Sequence, residues 1–134
     1  MVFGVVFYKG DHSEVHYLTQ PVPVTHELLG LTGNVPPATV LRVGAPCAQQ
    51  QCIHFSGETC SLAARIVKRL GEADIEHLPA CSLRKNCLWF DQEGIAACRR
   101  CPQISTWNMH PSQLLTEVSV PTGISKQLSR RRSV

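Results

Sequence analysis

The chain has 134 residues, of which 43% are hydrophobic, 6% aromatic and 17% charged, with a formal net charge of +3. That length fits one modest domain rather than two, and so few aromatics imply a lean core of the kind that metal or covalent cross-links supplement. The longest apolar run near the start, MVFGVVFY, is too short to span a bilayer and carries neither a basic flank nor a small-residue cleavage site, so a reducing cytoplasmic setting without a transmembrane segment is expected.

Residues 1–46 read as β-rich. VFGVVFY (2–8) carries β-branched and aromatic residues, KGDHS supplies turn chemistry, and EVHYLT (14–19) alternates, which together predict a hairpin. Pro21 and Pro23 are expected to end it, because proline cannot donate to a sheet ladder. A short helical turn is predicted at THELLG, with Thr25 as cap and Gly30 as stop, and TVLRV (39–43) reads as one more strand.

Residues 47–102 read as loops and short helices. TCSLAARIVKRLG predicts a helix capped by Thr59 or Ser61 and ended at Gly71. Leu62, Ile66, Val67 and Leu70 form its apolar stripe, with Arg65, Lys68 and Arg69 opposite. SLRKNCLWFDQEG and IAACRRC predict two further short helices broken at Gly94, and Pro102 closes the second. Residues 116–134 are polar and basic and read as a flexible tail, which leaves 1–115 as a single metal-binding domain. The expected fold class is α+β, a β-rich N-terminal part followed by a cysteine-rich helical part and a basic tail.

All seven cysteines lie between Cys47 and Cys101. Packing gains little from thiols that Val or Ala would not supply, whereas a soft metal or a metal–sulfur cluster requires them. An odd count would strand one thiol in a full disulfide framework. The first-choice ligand set is Cys81, Cys87, Cys98 and Cys101, four thiols on one local segment; Cys47, Cys52 and Cys60 with His54 form a second. Structural zinc favours paired C-x2–4-C knuckles. Here only Cys98 and Cys101 form a C-x2-C unit, and irregular spacings from several loops suit an iron–sulfur cluster, 4Fe–4S by ligand number, with zinc as the alternative. Cys60 at a helix N-terminus gains from the free N–H groups there, and Leu88, Trp89 and Phe90 beside Cys87 are placed to screen a cluster from water.

The string ACRRCP (97–102) resembles the C-x2-C-P element of WhiB-type iron–sulfur regulators, and the basic C-terminal tail is similar to theirs. That likeness implies a cluster-bearing regulator. The chain departs from the family at Trp107, where a further cysteine would stand, and in lacking the family's glycine–tryptophan turn.

Charge is uneven. Residues before Cys60 sum to −2 and those from Cys60 onward to +5. Arg65, Lys68, Arg69, Arg99, Arg100, Arg130, Arg131 and Arg132 are the candidate contacts for an acidic protein partner, a redox partner or a larger complex, or for nucleic acid. No independent catalytic centre is expected. HELLG opens like a zinc-protease helix but has Gly30 where the second histidine belongs, and no phosphate-binding glycine loop or nucleophile elbow occurs. The reading that follows is an iron–sulfur protein for electron transfer or redox-sensitive regulation, with a zinc-stapled adaptor as the alternative.

Overall fold

A computed structural model describes residues 1–121 other than Asp11, Asp74, Thr106 and His110. β1 (Val2–Lys9) and β2 (His12–Val22) form the predicted antiparallel hairpin, with Val6 opposite Val15 and Gly4 opposite Tyr17. Gly10 turns the chain between them at φ 61°, a conformation that disfavours a side chain. Alternation sends Val6 and Val15 inward and leaves Phe7 and His16 outside, where their rings meet at 4.5 Å.

β2 does not end at Pro21 as expected but runs on to Val22, which pairs with Val2. In the strand order β2-β1-β3, β2 is an edge and pairs on one side only, so a residue without a donor is tolerated there.

α1 (His26–Gly30) is capped as predicted: Thr25 Oγ1 accepts from the Leu28 N–H at 3.1 Å. Pro36 and Pro37 then start a single helical turn, α2 (Pro37–Val40), that the sequence reading did not contain. Proline supplies the φ that a first helical position needs, and the Thr39 hydroxyl donates to the Pro36 carbonyl at 2.6 Å. The strand expected from Thr39 therefore shrinks to β3 (Leu41–Val43), antiparallel to β1 on the side away from β2.

β4 (Phe55–Ser56) and β5 (Thr59–Cys60) make a small hairpin through Gly57 at φ 64°, and β5 feeds directly into α3 (Ser61–Arg69). The cap of α3 is neither Thr59 nor Ser61. Ser61 donates its hydroxyl to the His54 carbonyl at 2.6 Å, and the thiol of Cys60 accepts from the Ala63 N–H at 3.5 Å in its place. α4 (Leu88–Glu93) and α5 (Ile95–Cys98) follow, separated by Gly94 at φ 68° where the break was predicted.

α6 (Gln113–Ser119) moves the expected tail boundary. Ser112 Oγ caps it by accepting from the Leu115 N–H at 3.1 Å. Val118, 2% exposed, is buried with Ile66 and Leu70, and Leu62, Trp89, Ile104 and Leu115 pack around them. Residues 116–119 thus belong to the folded part, because one apolar side chain there completes the core shared by α3 and α6. The rest of the predicted tail, residues 122–134 with Arg130, Arg131 and Arg132, lies outside the described residues.

The architecture is α+β, a three-stranded antiparallel sheet combined with short helices. Among the described residues no helix is long and apolar enough to cross a membrane.

Candidate metal centre

Strand register builds one face of the site. Gly4 on the central strand pairs with Tyr17 on β2 and with Arg42 on β3, so Tyr17 and Arg42 flank it on the same face of the sheet. Gly4 leaves that face open: a Cβ there would meet Val15 Cγ1 at 2.7 Å. An irregularity in register between Val2 and Gly4 brings Phe3 to this face, where its ring stacks on Tyr17 with centroids 5.9 Å apart and planes 15° off parallel. The Arg42 guanidinium lies 5.5 Å from the Phe3 ring and 5.6 Å from the Trp89 ring, held between two aromatic faces.

Three cysteine-bearing segments reach this patch. The 81–83 loop arrives through Leu83, which packs against the backbone of Gly44 so closely that a Cβ there would collide with it; the Phe3 ring borders the same spot. Arg84 folds back to donate to the Pro79 carbonyl and shapes that loop. α4 arrives through Trp89, two residues after Cys87, which joins the α3–α6 core as well as the Arg42 guanidinium. Cys101 opens a 3-10 turn, Cys101–Gln103, that packs on β2; the fully buried Pro102 beside it lines a hollow of 260 Å³ with Tyr17.

Electrostatics tie the three cysteines together. Burial pushes the Cys101 thiol up; Arg42 and a hydrogen bond from Tyr17 oppose that by favouring the thiolate, while Cys87 and Cys81 add to the rise by like charge. Tyr17 is pushed well above the ordinary phenol range, first by burial and then by the Cys101 charge and hydrogen bond. Cys81, Cys87 and Cys101 therefore share one neighbourhood with Tyr17 and Arg42. Cys98, the last residue of α5, stands three positions before Cys101.

The second candidate set is dispersed over different tasks. Cys47 is exposed and its sulfur accepts from the Gln49 N–H at 3.3 Å; Cys52 is half-buried; Cys60 is buried as the α3 cap. His54 Nδ1 lies 3.0 Å from the Arg65 guanidinium, which has donors only, so Nδ1 must accept and the neutral ring carries its proton on Nε2. Neither nitrogen of that ring presents an open lone pair in this arrangement. Burial and then Arg65 hold the His54 pKa below the usual imidazole value, in keeping with a neutral ring.

All seven cysteines are free thiols. Among the described residues no three His, Cys, Asp or Glu side chains stand at the spacing that holds a metal ion. Cysteine sulfur is in general the soft donor that thiophilic metals and iron–sulfur clusters take, but Cys81, Cys87 and Cys101 do not form such a ligand group in this arrangement.

Several basic candidates are bonded to groups of the chain itself. Arg65 donates to the Val118 carbonyl at 2.8 Å and to Ser61 Oγ at 3.0 Å, and Arg69 pairs with Glu117 at 2.8 Å. Arg100 donates to the carbonyls of Leu70 and Ala96, both at 2.8 Å. Lys68 is exposed and Arg99 half-buried.

The sequence reading missed Tyr17 and Arg42 as residues of this patch. A signal existed for Arg42, the one charge in the apolar run TVLRV, and for Tyr17, an inward position in an alternating strand. Comparison with known proteins finds no protein family, curated protein or solved structure that matches this chain.

Proposed function

We propose that the chain binds an iron–sulfur cluster, 4Fe–4S, through Cys81, Cys87, Cys98 and Cys101, and serves electron transfer to a protein partner or redox-sensitive regulation. The observation that carries this reading is the convergence of the three segments that bear Cys81, Cys87 and Cys101 on one side of the sheet, through Leu83 against Gly44, Trp89 against Arg42 and the Cys101–Gln103 turn against β2. Cysteine thiolates are the ordinary ligands of such clusters, and a bound cluster supplies one-electron chemistry. Phe3, Trp89 and Pro102 give the neighbourhood apolar walls that restrict water, a lever on both cluster lifetime and potential.

The test is anaerobic purification with metal and acid-labile sulfide analysis and a visible spectrum. A brown protein with iron and sulfide in equal amounts, whose broad visible absorbance bleaches on reduction, supports the reading. A colourless protein containing stoichiometric zinc overturns it in favour of a zinc-stapled adaptor for a protein or nucleic acid. One observation favours that second reading: Cys98 closes α5 and Cys101 opens a 3-10 turn, so the C-x2-C unit sits on a tight turn of the kind zinc knuckles use.

A further inference from the structure

We propose that the outer edge of β2, over residues 12–17, is a docking slot for an extended segment of a protein partner in which apolar and basic residues alternate, taken up as a further strand of the sheet. The proposal does not rest on the metal reading.

Three observations fall on the same stretch. In the order β2-β1-β3, β2 pairs on one side only. From His12 to Tyr17 its pairing with β1 is regular, and beyond Tyr17 the register slips before Val22 meets Val2. An added strand needs a regular ladder to pair with. Two adjoining hollows, of 260 and 340 Å³, run along this stretch: Glu14, Val15, His16 and Tyr17 line the first, and His12, Ser13 and Glu14 the second. Consecutive strand residues point to opposite faces, so a hollow that touches four in a row lies along the strand's edge and not on either face. Apart from the pairing with β1, no backbone–backbone hydrogen bond joins residues 13–17 to another segment among the described residues.

Sheets blunt an open edge with Lys, Pro or a bulge. β2 carries such devices only past the slot, in the register slip and in Pro21, and residues 12–17 contain neither Lys nor Pro. Strand addition uses an edge of this kind, with main-chain bonds for affinity and side-chain contacts for specificity.

The walls define the occupant. Ile75 and Pro102 line both hollows, Pro79 extends the first, and Leu114 and Leu115 extend the second, so apolar side chains border the edge. Glu14 and Glu72 are the carboxylates of the lining, and no Lys or Arg joins them. Glu14 shares the outer face with His16, and Lys9 reaches it from the β1 side at 3.3 Å. A Lys or Arg on the added strand flanks Glu14 from the opposite side, completing a row of alternating charge across the sheet. The residues between then share the face of Val15 and Tyr17, where apolar side chains belong. A segment matching the slot spans about 20 Å.

The test uses the full chain and a peptide of alternating valine and lysine, about ten residues long. Titration calorimetry is expected to show saturable binding, and amide spectra to show shifts and slowed hydrogen exchange centred on residues 13–17. N-methylation of the valines blocks one edge of the peptide and N-methylation of the lysines the other; at least one of these forms is expected to bind roughly tenfold more weakly than the parent, through lost main-chain bonds. Glutamate in place of lysine is expected to abolish binding. Glu14→Gln combined with Glu72→Gln is expected to weaken the parent peptide roughly three- to tenfold, as exposed charge pairs do. The peptide changes leave the protein intact, so a failure of the double variant to fold does not decide the outcome. No binding at millimolar peptide, shifts confined to other residues, or equal binding by the parent and both methylated forms overturns the proposal. A chain that sediments as a dimer with residues 13–17 already protected also overturns it, and gives the edge to a second copy.

Discussion

The side-chain amide of Gln92 bonds the backbone of Cys60 twice, its oxygen accepting from the Cys60 N–H at 2.8 Å and its nitrogen donating to the Cys60 carbonyl at 2.9 Å. α4, which begins just after Cys87, is thereby fastened to the start of α3, so the two cysteine clusters of the sequence belong to one structural unit.

Gln92→Ala removes both bonds and leaves two backbone groups of a buried residue without these partners. The expected loss is about 1–3 kcal/mol of stability, read as a lower urea midpoint with an unchanged slope. A midpoint equal to that of wild type shows that the clamp contributes nothing.

Single Ser replacements of Cys81, Cys87, Cys98 and Cys101 are each expected to lose most of the bound metal, since one missing thiolate opens a four-ligand site. His54→Ala is expected to leave metal content unchanged, because the ring is committed to Arg65. Metal analysis of the five purified variants checks both statements. Retention of full metal by all four Ser variants sinks the ligand assignment.

Val118 places the folded boundary beyond residue 115. A chain stopped after residue 115 loses this side chain from the α3–α6 core, whereas one stopped after residue 121 keeps it. Val118→Ala alone is expected to destabilise by about 2 kcal/mol from the buried methyls removed. Thermal melting of the three proteins decides the boundary; equal melting of the two truncated chains contradicts it.

Glu117 gives the α3–α6 contact an acid limb. Hydrogen bonds from Arg69 first and Gln113 second hold its carboxyl below the usual glutamate value. A depressed folded pKa means that the stabilisation is present above the unfolded value and is lost as pH falls through the folded one. Stability is therefore expected to decline on acidification below the ordinary carboxylate range, less steeply in Glu117→Gln. The pair is exposed, 42% and 45%, so added salt is expected to shrink the difference. Parallel acid limbs in the two proteins remove Glu117 as the cause.

Arg65 and Lys68 sit on one helix but do different things. Arg65→Ala deletes donors to the Val118 carbonyl, Ser61 and His54, and is expected to lower the melting temperature. Lys68→Ala, at an exposed position, is expected to stay within about 0.5 kcal/mol of wild type. Equal effects contradict the division between a tie and a surface charge.

Local chemistry determined a good share of this protein from sequence alone. The β1–β2 hairpin follows from alternation and a Gly10 turn, and the Thr25 cap and the Gly94 break follow from backbone preference. What only tertiary structure decided are choices between equivalent local options. Pro21 stays in a strand because β2 is an edge, Cys60 caps α3 because Ser61 is spent on His54, and residues 116–119 fold because Ile66 and Leu70 need Val118. The same holds for the candidate centre: Tyr17 and Arg42 become neighbours only through pairing with Gly4, and Arg100 is withdrawn by carbonyls that a sequence cannot place. Caps, turns and strand alternation are set within a few residues, whereas partners across strands and between helices depend on which surfaces the finished fold brings together.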